Sequence, residues 1–157
     1  MLDTTTVLTN FKKENISLSI LSPAVANYVG YRIIGKTLII SGQLPMTDGK
    51  IVYEGVLGDA VDLDTGYQAA RLCGINILAQ ANHAIGGEWS RIKQCVRLGG
   101  FVAATSDFKD HPKVMNGASD LMAAILGEMG RHARAAVGVS SLPLGACVEV
   151  EALFELI

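Results

Sequence analysis

Residues 130–156, GRHARAAVGVSSLPLGACVEVEALFEL, read as two β-strands joined by a loop. Side chains on a strand alternate between its two faces. In the second strand Val148 and Val150 therefore share an apolar face with Ala152, Phe154 and Leu156, and Glu149 lies on the opposite face with Glu151. In the first strand Arg134 shares a face with Ala136 and Gly138, so the arginine lies over small residues that another molecule can approach closely.

Arginine and glutamate in such strands have two interpretations. Arginine binds a carboxylate through a planar, bidentate fork, and a nearby glutamate can orient or deprotonate a water molecule. Alternatively, they form a structural salt bridge beside solvated acids, worth about 0 to 1 kcal/mol. A hairpin centred between Ser141 and Leu142 would place Arg134 opposite Glu149, but the long GVSSLPLG segment could equally carry the chain to another part of the sheet.

The rest of the chain predicts an α+β fold. Hydrophobic periodicity indicates three short strands in ISLSIL, YVGYRIIG and TLIISG, then a helix over Asp64–Ile85, a strand in IKQCVRLGGFVAAT and a second helix in residues 110–130. The order is β-β-β-α-β-α-β-β, a mixed sheet with two helices on one face, in a single domain over residues 1–157. We expect a second subunit to cover the other face.

Local signals place the ends of these elements. Asp64 or Thr65 should cap the first helix, which Gly86 should end. Asp48 with Gly49 predicts a tight turn. Pro112 suits the first turn of the second helix, and Asn116 is expected inside that helix rather than in a turn with Gly117.

Composition excludes several function classes. Half of the 157 residues are hydrophobic, 18% are charged and the net charge is -2, with no basic run to track phosphates, so we expect no nucleic-acid partner. Three widely separated cysteines without C-x-x-C spacing indicate buried thiols rather than disulfides or a zinc site. We expect no metal and no cofactor. The N-terminus lacks the pattern of a signal peptide and no stretch is long enough for a membrane span, so a cytoplasmic protein without membrane contact is expected.

Three segments together resemble a known family. LIISGQLP, the asparagine of VMNGASDL, and ARAAVGVSSLPLGACVEVEA are similar in order and spacing to the YjgF/RidA superfamily, the reactive-intermediate (enamine/imine) deaminases, also labelled endoribonuclease L-PSP or chorismate-mutase-like. The resemblance runs from about Ser22 to the C-terminus. Extra sequence in the leader, in the EGVLGDAVDLDTG loop and around GEMGRHAR points to a longer, divergent branch.

The resemblance implies roles for particular residues. Arg134 would clamp a substrate carboxylate and Glu149 would position the hydrolytic water. The remaining substrate-binding positions would be Tyr28, Ser41, Gly42, Asn116 and Ala136. The family also implies a homotrimer with clefts between subunits, no cofactor, and a last strand inserted between others, which would replace the hairpin register.

The sequence leaves several hypotheses about the function of the chain. Many family members carry a cysteine where this chain has Ala136, so a trimer that binds a small carboxylate metabolite without turnover is the alternative to an enamine/imine deaminase. RNA cleavage is disfavoured because the chain lacks a basic track and a recognisable pair of acid and base histidines. Rearrangement of chorismate is a further, less favoured hypothesis. His132 could contact an anion or be an ordinary loop histidine.

Overall fold

The computed structural model describes residues 2–18 and 27–157. In these ranges, α1, α2 and α3 span Thr4–Lys13, Leu63–Ile85 and His111–Leu126. The strands β1 to β7 span Tyr31–Ile34, Thr37–Gln43, Met46–Thr47, Lys50–Ile51, Ile92–Ala103, Ala133–Val139 and Val148–Leu156. Short 3-10 turns lie at Trp89–Arg91, Gly127–Gly130 and Pro143–Gly145.

A mixed five-stranded sheet has the order β1-β2-β7-β5-β6. All neighbours are antiparallel except β5 and β6, which are parallel and connected through α3. Of the two alternatives left open for the last strands, the hairpin is excluded: β7 pairs with β2 and β5, and Arg134 lies opposite Leu98 of β5 instead of Glu149. The segment after β6 carries the chain past β5, so the last strand is inserted between others, as the family resemblance implied.

The helices α2 and α3 cover one face of the sheet. Their apolar stripes, with Ile77 and Met122 fully buried, pack against Leu98, Val150 and Phe154 of the central strands. Gly117 lets the two helices approach closely, because a Cβ there would overlap the backbone carbonyl oxygen of Tyr67. This packing is the predicted layer of helices on a sheet.

A third helix, α1, was not predicted. Asp3 caps it by accepting from the Thr6 backbone N–H at 2.8 Å. The Phe11 ring lies 5.3 Å from the Trp89 ring, and the Asn10 side chain donates to the Ile125 carbonyl oxygen at 3.0 Å. The prediction of two helices is thus corrected to three. The hydrophobic residues of this segment alone did not predict a helix, and long-range contacts with α3 and the Trp89 turn stabilise it.

Element ends agree with prediction at most positions. Gly86 ends α2 with φ 67°, and Asp48 and Gly49 form the turn between β3 and β4 with φ 51° and 76°. The cap of α2 is Asp62, which accepts from the Thr65 N–H at 2.8 Å, so the expectation of Asp64 or Thr65 is wrong.

The first predicted strand, in residues 16–21, lies partly outside the described residues. Its described part, Ile16 to Leu18, is not in a strand. Ile16 and Leu18 are half-buried and pack against the core. Their alternating pattern therefore reflects packing without strand pairing.

None of the described helices covers the other face of the sheet. Ile39 and Val137 on this face are 38% and 47% exposed. We call it the open face; it also carries Phe101, Glu149 and Glu151, which are partly exposed. None of the described helices has the length and apolar character needed to cross a membrane.

Candidate functional site: two half-sites on opposite faces of the sheet

Arg134 lies on β6, the edge strand, on the face that carries the helices. Its Nη1 donates to Asn116 Oδ1 and to Ser119 Oγ, both at 3.0 Å, and its Nη2 donates to the Pro112 carbonyl oxygen at 3.3 Å. These acceptors all belong to α3. In the described part of the chain, Nε–H and one Nη2–H remain without an acceptor, and these two nitrogens share the edge of the guanidinium with which arginine binds a carboxylate.

The floor beside Arg134 is made of small residues. Ala136 and Gly138 follow it on the same face of β6, opposite Gly100 and Val102 of β5. As an edge strand, β6 also leaves backbone N–H and C=O groups that no neighbouring strand of this chain binds. A ligand held by Arg134 can therefore reach backbone donors near Ala136. We call Arg134, Asn116, Ser119 and Ala136 the arginine half-site.

Glu149 lies on the open face and is half-buried. Burial raises the pKa of its carboxyl above 4.5, and the adjacent Glu151 carboxylate raises that pKa further. Glu151 is paired with Arg97 at 2.8 Å, whereas Glu149 forms no ion pair with a described residue. The raised pKa suits a carboxylate that accepts a proton from water.

Gly42 makes room for this carboxylate. A Cβ at position 42 would overlap Glu149 Oε1. The strand β2 is irregular here, between Ile40 and Gln43, which brings the glycine against β7. A larger residue at position 42 would therefore displace the Glu149 carboxylate from its present position.

Tyr28 and Ser41 line a shallow, open depression of about 420 Å³ next to β1 and β2. The Ser41 hydroxyl donates to the Val29 carbonyl oxygen at 2.7 Å, and the Ser41 N–H donates to the Gly30 carbonyl oxygen at 3.0 Å. These two bonds attach the segment before β1 to β2. We call Tyr28, Ser41, Gly42 and Glu149 the glutamate half-site.

The single chain does not bring the two half-sites together. Arg134 and Glu149 are two strands apart and three positions apart along the strands, so their Cα atoms are about 14 Å apart. They also point to opposite faces, because Arg134 aligns with buried Leu98 whereas Glu149 aligns with Phe101. The chain therefore holds the candidate residues in two separate groups, one on each face of the sheet.

Ser119 is a site residue that sequence reasoning missed. It lies three residues after Asn116 on α3, and positions three apart share a helix face. That spacing was the available signal. Asn116 itself is helical, as predicted, and its side chain holds Arg134.

The cysteines and the possible metal ligands are the other chemically active residues to consider. All three cysteines are free and buried, as predicted from their spacing, and burial raises the pKa of Cys95 to about 12 and that of Cys147 to about 11. The described residues contain no group of three or more His, Cys, Asp or Glu arranged to hold a metal ion.

Comparison with known proteins identifies the family. The family described as "YjgF/chorismate_mutase-like, putative endoribonuclease" matches residues 11–156. The chain belongs to this YjgF family. This confirms the resemblance found in the three sequence segments.

Similar proteins span nearly the whole chain. A crystal structure of a protein of unknown function from Agrobacterium tumefaciens is 44% identical, with a TM-score of 0.92 over 98% of this chain and 94% of that one. A "putative endoribonuclease" from Shewanella oneidensis is 38% identical, with a TM-score of 0.91 over 96% and 99%. Protein TCP17 of Trypanosoma cruzi is 42% identical over 96% of this chain and 94% of its own. These similarities cover α1 and the longer loops as well as the shared sheet.

Proposed function

We propose that this protein hydrolyses small imines or enamines that carry a carboxylate, in a site completed between two copies of the chain. The observation that carries the proposal is the state of Arg134. Three hydrogen bonds that it donates to acceptors of α3 orient its guanidinium, and among the described residues no acceptor takes its Nε–H or the second Nη2–H, so these donors are available for a carboxylate.

Glu149 supplies the base in this proposal. The imine reacts as its N-protonated form, and an enamine first takes a proton on carbon to reach the same species. A water oxygen attacks the imine carbon while Glu149 accepts a proton from that water, which forms a neutral carbinolamine. Glu149 returns this proton to the nitrogen, the C–N bond breaks with its electron pair leaving on ammonia, and Glu149 takes the hydroxyl proton and passes it to the ammonia, so the products are a carbonyl compound and ammonium. Because the ionised carboxylate is the base, activity should be full above the raised pKa of Glu149 and should fall as the pH falls through it.

Two features support a site between copies. The half-sites lie on opposite faces of the sheet, so one chain cannot bring both to one ligand. The open face also exposes Ile39 and Val137, which a second copy would bury. A closed ring, a trimer by family resemblance, would place the arginine half-site of one copy against the glutamate half-site of the next.

The first test measures how fast imino acids disappear. An amino-acid oxidase generates 2-imino acids from several amino acids, semicarbazide traps what survives, and the wild type is compared with Arg134→Ala and Arg134→Lys. We expect the wild type to lower the trapped signal and Arg134→Ala to have no effect. Lysine keeps the charge but loses the fork, so Arg134→Lys should be intermediate. An Arg134→Ala protein as active as the wild type would contradict the proposal.

A second candidate is a binding protein for a small carboxylate without turnover. The observation that favours it is Ala136 in the arginine half-site, where many related proteins have a cysteine. In this case the wild type would leave the trapped signal unchanged for every amino acid, yet would bind a small 2-oxo acid with an affinity that Arg134→Ala abolishes.

RNA cleavage has less support despite the family description. The net charge is -2. The histidines nearest Arg134 are His111, at the start of α3, and His132, which contacts Ser119 two helical turns further along. His111 and Ser119, the residue that His132 contacts, are eight residues apart on α3, about 12 Å along its axis, and His111 lies over Gly138 whereas His132 precedes β6, so the structure does not present the two histidines as a pair.

A further inference from the structure

Behind Arg134 a serine and a histidine continue its hydrogen-bond network. Ser119 Oγ, which accepts from Arg134 Nη1 at 3.0 Å, lies 3.0 Å from His132 Nε2. On the other side of the ring, His132 Nδ1 lies 2.6 Å from the Gly130 carbonyl oxygen. His132 is half-buried in the segment directly before β6.

The partners determine the direction of every bond in this network. A carbonyl oxygen only accepts, so the Nδ1 of His132 carries the hydrogen and donates to Gly130. In the neutral ring Nε2 is then an acceptor, and it takes the hydroxyl hydrogen of Ser119. The Ser119 oxygen in turn accepts from Arg134. Arg134, Ser119, His132 and Gly130 thus form one continuous chain of donors and acceptors.

We propose that Ser119 and His132 are positioning residues for Arg134, and that together they set the direction in which its free edge is presented to a carboxylate. This inference rests on the proposed role of Arg134 and deepens it. A fixed Ser119 hydroxyl holds Nη1 in place, so the guanidinium plane cannot rotate about its last bonds. An arginine on an exposed edge strand would otherwise sample many rotamers and lose entropy on binding.

The network depends on the protonation of His132. In the imidazolium form Nε2 becomes a donor, so the Ser119 hydroxyl loses its acceptor and a second positive charge forms near Arg134. Burial lowers the pKa of His132 below 6.5, the Gly130 carbonyl raises it in part, and the Arg134 charge lowers it further. The neutral ring is therefore present above that pKa. Below it the imidazolium charge attracts a carboxylate, whereas loss of the Ser119 bond releases Arg134 from its orientation. The proposal holds that orientation dominates, so carboxylate binding should weaken as the pH falls through that pKa.

Neighbouring charges are engaged elsewhere. Arg131 pairs with Glu128 at 3.0 Å across the turn, Asp120 of α3 accepts from the Tyr67 hydroxyl at 3.0 Å, and Arg97 of β5 pairs with Glu151 on the open face. Two other polar side chains lie near the half-sites, namely His111, which lies over Gly138, and Glu149 on the open face. Both remain in the variants below, so their contribution is the same in each comparison.

The test measures binding of pyruvate, a small 2-oxo acid, between pH 5 and 8 by NMR titration of the intact protein. His132→Phe keeps the ring volume but removes the acceptor for Ser119, so we expect affinity to fall about threefold to tenfold at pH 7.5. His132→Gln keeps a carbonyl acceptor that does not protonate. It should retain affinity at pH 7.5 and lose the weakening seen in the wild type at acidic pH.

Controls separate this inference from the proposed function. Ser119→Ala should resemble His132→Phe, and Arg131→Gln, which removes an exposed neighbouring charge, should behave as the wild type. If Arg134→Ala abolishes pyruvate binding while both His132 variants, folded by circular dichroism, keep the wild-type affinity and pH profile, the positioning role is refuted and the carboxylate clamp survives. If Arg134→Ala binds pyruvate as the wild type does, the clamp itself is refuted.

Discussion

A mixing experiment tests whether the site is completed by two copies of the chain. The perturbation is a pair of variants, Arg134→Ala and Glu149→Gln, each of which removes one half-site and leaves the other intact. Each variant alone should be inactive in the imino-acid assay. Arg134 and Glu149 lie about 14 Å apart on opposite faces of the sheet. In the proposed site, Arg134 of one chain therefore acts together with Glu149 of another, and a mixture of the two variants can still form a complete site.

The statistics of random assembly set the activity expected of the mixture. In an equal mixture that assembles at random, an interface is complete when the Glu149→Gln chain supplies Arg134 and the Arg134→Ala chain supplies Glu149. Each condition holds in half of the cases, so about a quarter of the interfaces are complete in any closed ring. The mixture should therefore recover about a quarter of the wild-type activity, although both parents are inactive.

The assay uses the two chains co-expressed in equal amounts and purified together through one tag that both carry, so that oligomers of every composition are retained, followed by the semicarbazide measurement. A mixture that is no more active than its parents would refute the composite site. A second mixture, of wild type with the double variant, discriminates further. It should keep about a quarter of the activity if each site uses two copies, and about half if each site lies within one chain.

Three further predictions concern single features of the chain. Gly42→Ala should lower activity more than tenfold without unfolding the protein, because the added methyl displaces the Glu149 carboxylate; wild-type activity in a folded variant would show that this contact is dispensable. Phe11→Ala should lower the free energy of unfolding by about 3 kcal/mol in urea titrations, whereas Leu8→Ala, on the exposed side of α1, should change it by less than about 0.5 kcal/mol. Iodoacetamide at pH 8 should leave the three buried cysteines of the native protein unmodified and should alkylate them in guanidinium, and rapid native labelling would contradict their burial.

Much of the site could be predicted from the sequence because its signals are local. The alternation of side chains in β6 predicted that Arg134 shares a face with Ala136 and Gly138. The alternation in β7 predicted that Glu149 lies on the face away from the core. The helical period placed Asn116 on α3. Resemblance to the family then supplied roles for these residues, which remain proposals.

Other features could not be predicted because they depend on long-range contacts. The helix α1 is short and buries only Val7 and Phe11, and it is stabilised by the packing of Phe11 on Trp89, a residue 78 positions away. Ser119 became a candidate only when α3 was placed beside β6. The histidine of the GRHAR segment had an ordinary loop interpretation until its ring was found between Ser119 and Gly130.

The sequence by itself determined most of the strands, the helices α2 and α3, the faces that their residues present, and the family to which the chain belongs. These are properties of short periods and of motif order, which survive without knowledge of the partners of each strand. The family resemblance implied an inserted last strand, but only the tertiary structure placed β7 between β2 and β5, and hence put Arg134 and Glu149 two strands apart. The physical reason is that side-chain alternation is a local property, which fixes the face of each residue relative to its own strand. Which strands pair depends instead on how the whole sheet is buried beneath α2 and α3.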